Sequence, residues 1–109
     1  GINGQSNGSS FDGLDGRHLN TARTFSRIEA SIDGNFPLEV GQSLTVTLAI
    51  SINNGMFYTV VTQVSIPSGA TSITGNFGPT VFPAGSEHVL AAVLFGPGAY
   101  NGPLKVTIS

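Results

Sequence analysis

Residues 43–52 read SLTVTLAISI, and the reading of this stretch decides the fold. Leu44, Val46, Leu48, Ile50 and Ile52 alternate with Ser43, Thr45, Thr47, Ala49 and Ser51. A period of two over such a length makes a strand with one buried and one exposed face. Asn53-Asn54-Gly55 follows, residue types that accept the positive φ of a tight hairpin turn, and residues 57–66 return as the partner strand. On that partner the alternation places Tyr58, Val60, Val64 and Ile66 on one face, with Phe57 and Val61 on the other.

Working outward, residues 24–32 predict a strand with Ile28, Ala30 and Ile32 on one side and Phe25, Arg27, Glu29 and Ser31 on the other, ended by an Asp33-Gly34 turn. Further strands are predicted at residues 70–77, 81–82, 88–95 and 104–109, separated by corners at Pro67-Ser68-Gly69, Pro83-Ala84-Gly85 and Pro97-Gly98. The first of these corners echoes the second sixteen residues on, a corner used twice rather than a solenoid repeat. Residues 14–22 suggest a short helical turn. Residues 1–13, GINGQSNGSSFDG, are rich in Gly, Ser and Asn and have no hydrophobic period. The fold class expected is all-β: an antiparallel two-sheet β-sandwich, jelly-roll-like, with a flexible N-terminal arm (1–13) ahead of the sandwich domain (14–109). The Cys and Trp markers of an immunoglobulin domain are absent.

With 109 residues the chain fits one domain and can bury a core without staples, as it must, since it has no cysteine. Charged residues are 9% of the chain, against about 25% in an ordinary soluble domain, and beyond residue 40 only Glu87 and Lys105 remain. Such a surface produces little repulsion between copies. A net charge of −2 gives no basic face for nucleic acid, and Arg23 and Arg27 are better explained as solvated strand residues than as a phosphate site. No apolar run is long enough to span a membrane. The opening Gly1-Ile2-Asn3-Gly4 carries no signal peptide, so an exported protein is expected to be in its mature form.

Chemistry-bearing residues are few. In Ser86-Glu87-His88 neighbours alternate sides of a strand and do not converge on a reacting atom. His18 and His88 are better read as ordinary imidazoles than as zinc ligands, and Asp12-Gly13-Leu14-Asp15-Gly16 as turn-forming pairs rather than a calcium loop. Glu29, Glu39 and Glu87 lack the cleft that paired glycosidase carboxylates need. No catalytic residue, metal site or cofactor is expected. Tyr100 and Asn101 lie on a loop where a surface glycan could reach them, although Tyr100 is better explained as a loop anchor lying on the sandwich. Asn7-Gly8-Ser9 is an acceptor sequon for glycosylation at Asn7.

Residues 88–95 are apolar on both faces, Val89, Ala91, Val93 and Phe95 opposite Leu90, Ala92 and Leu94, where an antiparallel strand normally needs one apolar face. Either a loop or arm covers the second face or another subunit does. The expected subunit interface therefore comprises Val89, Leu90, Ala92 and Leu94, with Ile2 and Phe11 anchoring the arm in a neighbour.

The alternating SLTVTLAISIN, the strand closing in SIPSGATS and the later VFPAGSEHVLAAVL resemble the jelly-roll domains of bacterial surface and spore appendages, including C1q/TNF-like heads of collagen-like exosporium proteins and spore-appendage fibre subunits. The resemblance covers under half the chain. It implies an extracellular or cell-surface structural subunit; spore-appendage subunits of this kind are cross-linked through cysteines, which this chain lacks. The function expected is a self-associating, homo-oligomeric subunit of an extracellular filament, coat or appendage, propagated by strand exchange of the arm. The alternatives are a carbohydrate- or surface-binding module and a viral coat or tail component.

Overall fold

A computed structural model describes residues 2–3, 8–11, 19–51 and 57–109, the first two segments through their backbone pairing alone. Among the described residues nine strands follow in chain order: β1 (Ile2–Asn3), β2 (Gly8–Phe11), β3 (Arg23–Ile32), β4 (Ser43–Ser51), β5 (Thr59–Pro67), β6 (Ser72–Phe82), β7 (Glu87–Phe95), β8 (Ala99–Tyr100) and β9 (Leu104–Ile108). No helix occurs among the described residues. The hairpin turn predicted at residues 53–55 and most of the helical turn predicted at 14–22 lie outside them.

The strands form a four-stranded sheet, β2-β7-β4-β5, a three-stranded sheet, β6-β3-β9, and the short pair β1-β8. All pairings are antiparallel, and they nest: β4 with β5, β3 with β6, β2 with β7, β1 with β8. Only β4 and β5 are consecutive in the chain and paired; from β5 to β6 and from β6 to β7 the chain crosses between the sheets. One long hairpin folded over on itself in this way is a jelly roll.

The period of two in β4 does what it predicts. Leu44, Val46 and Leu48 are completely buried, Ile50 packs against the same core, and the opposite residues of β7, Leu94, Ala92 and Leu90, are completely buried too. Ile28, Ala30, Val106 and Ile108 close the core from the other sheet.

Two strands depart from simple alternation. In β3 the N–H groups of Ser26 and Arg27 both donate to the carbonyl of Ser109, at 2.8 and 3.1 Å, and the register against β6 shifts between Phe25 and Arg27. Two successive donors on one acceptor mark a β-bulge, which inserts an extra residue into the strand and changes which face follows. Phe25 therefore lies in the core, 3% exposed, instead of outward beside Arg27. Its ring stands edge-on to Phe82 at 4.9 Å, with the Arg23 guanidinium 4.8 Å from the ring centre. In β5 the register against β4 skips Val61, so Thr62 faces Leu48 and Val60 faces Ala49. This turns Val60, which is exposed, away from the face that Val64 and Ile66 share, and brings Val61 against the core. The two predicted strands at 70–77 and 81–82 are one strand, β6.

Truncating Phe25 distinguishes the bulged strand from a regular one. Phe25→Ala is expected to lower unfolding free energy by about 3–5 kcal/mol, as for a core aromatic, when followed by chemical denaturation. An outward-facing Phe25 predicts a change within about 0.5 kcal/mol.

Candidate functional site

The strand with two apolar sides, β7, has two neighbours. All nine residues of β4 pair with one edge, from Ser43 opposite Phe95 to Ser51 opposite Glu87. Along the other edge runs β2, with Gly8 opposite Val93, Ser9 opposite Ala92, Ser10 opposite Ala91 and Phe11 opposite Leu90. Ile2 and Asn3 stand opposite Tyr100 and Ala99. Segments expected to be a flexible arm thus supply strands of the chain's own sandwich. A hydrophobic period is not required for this, since an edge strand pairs through backbone groups. The attachment behind the arm is firm: Leu19 is buried, its N–H donates to Ser86 O at 3.2 Å, and its carbonyl accepts from Gly85 N at 2.7 Å, beside the start of β7.

Of the β7 residues expected at a subunit interface, Leu90, Ala92 and Leu94 are instead completely buried in this chain's own core. The cause is the β4 ladder, which sets them opposite Leu48, Val46 and Leu44. Val89 lies outward with half-buried Ala91 and Val93 and half-exposed Phe95. Beside them on the outward face of β4 and β5, Thr45 Oγ1 and Ser65 Oγ share a hydrogen bond of 2.8 Å, and Gln63 Nε2 donates to Thr47 Oγ1 at 2.9 Å. Glu87 is the single charged side chain on this face among the described residues, at its Ser51 end, where it accepts from the Tyr58 hydroxyl at 3.2 Å.

The other residues singled out from sequence do not form a reactive centre. Ser86 and His88 are buried, while Glu87 between them turns outward to Tyr58. Among the described residues no three His, Asp or Glu side chains gather to hold a metal ion. Asn7, His18 and residues 12–16 lie outside the described residues, and for Ile2 and Phe11 the strand register is described without their side chains.

Tyr100 and Asn101 do border a pocket of about 190 Å³, together with Phe36 and Glu39. Tyr100 is 3% exposed and its hydroxyl donates to Pro103 O at 2.7 Å, so it forms a wall rather than a platform, while Asn101 is exposed. Gly102 makes room for this arrangement, because a Cβ there would sit 2.5 Å from the Tyr100 hydroxyl and from Phe36 Cβ. Burial, and secondarily the negative charge of Asp33, push the Tyr100 phenol up from 10.0.

Sequence reasoning missed a clamp at the foot of the β4–β7 ladder. Gln42 is 3% exposed; its Oε1 accepts from Glu39 N and its Nε2 donates to Pro97 O, both at 2.8 Å. Gly96 has φ +100° and lies so close to Gly41 that a Cβ would strike the Gly41 carbonyl oxygen. The sequence signal was there in Gly41 and Gly96-Pro97-Gly98, but partners 55 residues apart cannot be matched by local pattern.

Tyr100→Phe is expected to lose about 0.5–1.5 kcal/mol of stability at neutral pH, the worth of one hydrogen bond. Since the folded-state phenol titrates above its unfolded value, its contribution is fully present below about pH 10.0 and is lost as pH rises through the raised value. Paired denaturation curves of wild type and Tyr100→Phe at pH 8 and pH 11 check this: the difference should narrow at the higher pH, and a constant difference contradicts it.

Compared with protein-family models, with curated proteins and with solved structures, the chain matches none.

Proposed function

We propose that the protein is a structural, self-associating subunit of an extracellular filament, coat or appendage, in which the N-terminal arm passes from its own sandwich to a neighbour's. The observation that carries this reading is β2 on the open edge of β7. Without it, β7 becomes an edge strand and presents unpaired N–H and C=O groups, the template on which another chain adds a strand. Gly8–Phe11 pairs over four residues, and each backbone hydrogen bond has a net worth of only about 0.5–1.5 kcal/mol. The same bonds form whether the arm belongs to its own chain or to the next, so exchange is nearly neutral in energy.

Reach sets the geometry of exchange. From Phe11 to anchored Leu19 the chain takes eight steps, at most about 26–29 Å when extended. A neighbour's β7 must lie within that distance of Leu19. Low net charge lets copies approach this closely.

A second reading, a carbohydrate- or surface-binding module, is favoured by the pocket of about 190 Å³ at Asn101, where Phe36 is 52% exposed beside Glu39. Its volume falls below the roughly 300–1,000 Å³ of drug-sized sites, which limits it to one small group such as a single sugar ring.

Deletion of residues 1–13 tests the leading reading. Light scattering and negative-stain imaging are expected to show loss of polymers, and a free peptide of residues 1–13 added to the full chain should shorten its polymers by filling acceptor edges. Undiminished polymerisation of the shortened chain removes the arm from the mechanism, and a wild-type chain that stays monomeric removes the filament.

A further inference from the structure

The two outward faces of the sandwich differ in charge. On the three-stranded sheet Arg27, Glu29 and Lys105 are all exposed, with Arg27 Nη2 3.7 Å from Glu29 Oε2. On the four-stranded sheet the described outward residues are neutral from Phe95 back to Val89, and the charge of Glu87 stands only at the far end. We propose that this neutral face seats a second copy of the chain, sheet against sheet, and that arms exchanged between such pairs carry the assembly beyond two copies. The inference rests on the self-assembly reading and names its missing contact.

Three observations fit a second copy as the occupant. A two-fold contact sets the same face of both copies together, so a face of one net sign meets that sign again, whereas this one carries no such penalty. The polar groups across its middle are already satisfied by each other, Thr45 with Ser65 and Gln63 with Thr47, so covering them strands few hydrogen-bonding atoms. Apolar Val93 and half-exposed Phe95 run beside that ladder.

Size then decides how the contact is used. The strands β7, β4 and β5, about 4.8 Å apart over seven residues at about 3.3 Å each, make a patch of about 330 Å² per copy, or about 670 Å² for the pair. That is below the roughly 1,200–2,000 Å² of stable interfaces and in the class of weak ones. An arm, for its part, competes with its own sandwich at an effective concentration of about millimolar. Neither element alone holds a polymer at low concentration. A two-fold face contact closes on itself and so gathers acceptor edges and arms in pairs, and an arm passed to a copy outside the pair then links pair to pair with the advantage of two attachments.

The two contributions separate when the arm is locked at home. Ser9 and Ala92 are directly opposed, a spacing that accepts a disulfide, and the chain has no other cysteine. In the full chain carrying oxidised Ser9→Cys and Ala92→Cys, sedimentation equilibrium over about a hundredfold range of concentration should show a weak monomer–dimer equilibrium and no larger species. Val93→Lys in the locked chain should weaken that dimer at least about tenfold, as should Thr47→Lys, while Thr107→Lys on the opposite sheet should leave it unchanged. A locked chain that remains monomeric overturns the face, as does equal behaviour of the Val93→Lys, Thr47→Lys and Thr107→Lys proteins. If the locked chain dimerises and the unlocked chain never exceeds a dimer, the face stands and the filament reading fails.

Discussion

The ladder between β4 and β7 is the constraint on which the remaining structure depends. Nine opposed pairs fix which side of each strand is inside, and Leu44, Val46, Leu48, Leu90, Ala92 and Leu94 are completely buried as a result. A one-residue slip would send all of them to the outward face. Gln42 and the close approach of Gly96 to Gly41 hold the foot of this ladder, so the register is fixed by hydrogen bonds and backbone contact as well as by apolar burial. Everything proposed about assembly concerns what is left of β7 once β4 has taken one edge and the core has taken one side.

What remains is one edge and one face. The edge is occupied by β2, a strand of four residues paired opposite Leu90–Val93. The face is neutral and its polar groups are mutually bonded. Exposed charges of Arg27, Glu29 and Lys105 lie on the other sheet, as a solvated surface requires. The low charge of the chain is therefore unevenly placed, and the uneven placement is what separates a side suited to water from a side suited to another copy.

Much of the fold was legible because β4 obeys a strict period, and the burial of its partner on β7 follows from it. The bulge at Ser26 and Arg27 was not legible: its cause is the Ser109 carbonyl at the far end of the chain, and the sequence around Phe25 carries no mark of it. The skipped residue Val61 has no local signature either. Leu90, Ala92 and Leu94 were assigned to a subunit interface because a strand apolar on both faces does not say which of its sides is inside. The strands in the arm were missed since GSSF has no amphipathic pattern and pairs through groups that every residue carries. Tyr100 and Asn101 were found through their loop, but only the fold shows that Tyr100 spends its hydroxyl on Pro103.

Mixing two singly substituted chains tests the central claim most directly. Ser10 and Ala91 are opposed across β2 and β7, and the absence of any native cysteine makes a disulfide between them unambiguous. One chain carries Ser10→Cys, the other Ala91→Cys and a mass label, and the mixture is oxidised under assembly conditions. Strand exchange predicts a cross-linked pair containing one chain of each kind. A mixture that yields no such pair, while Ser10→Cys and Ala91→Cys placed in one chain close within that chain, shows that the arm stays at home and contradicts the account.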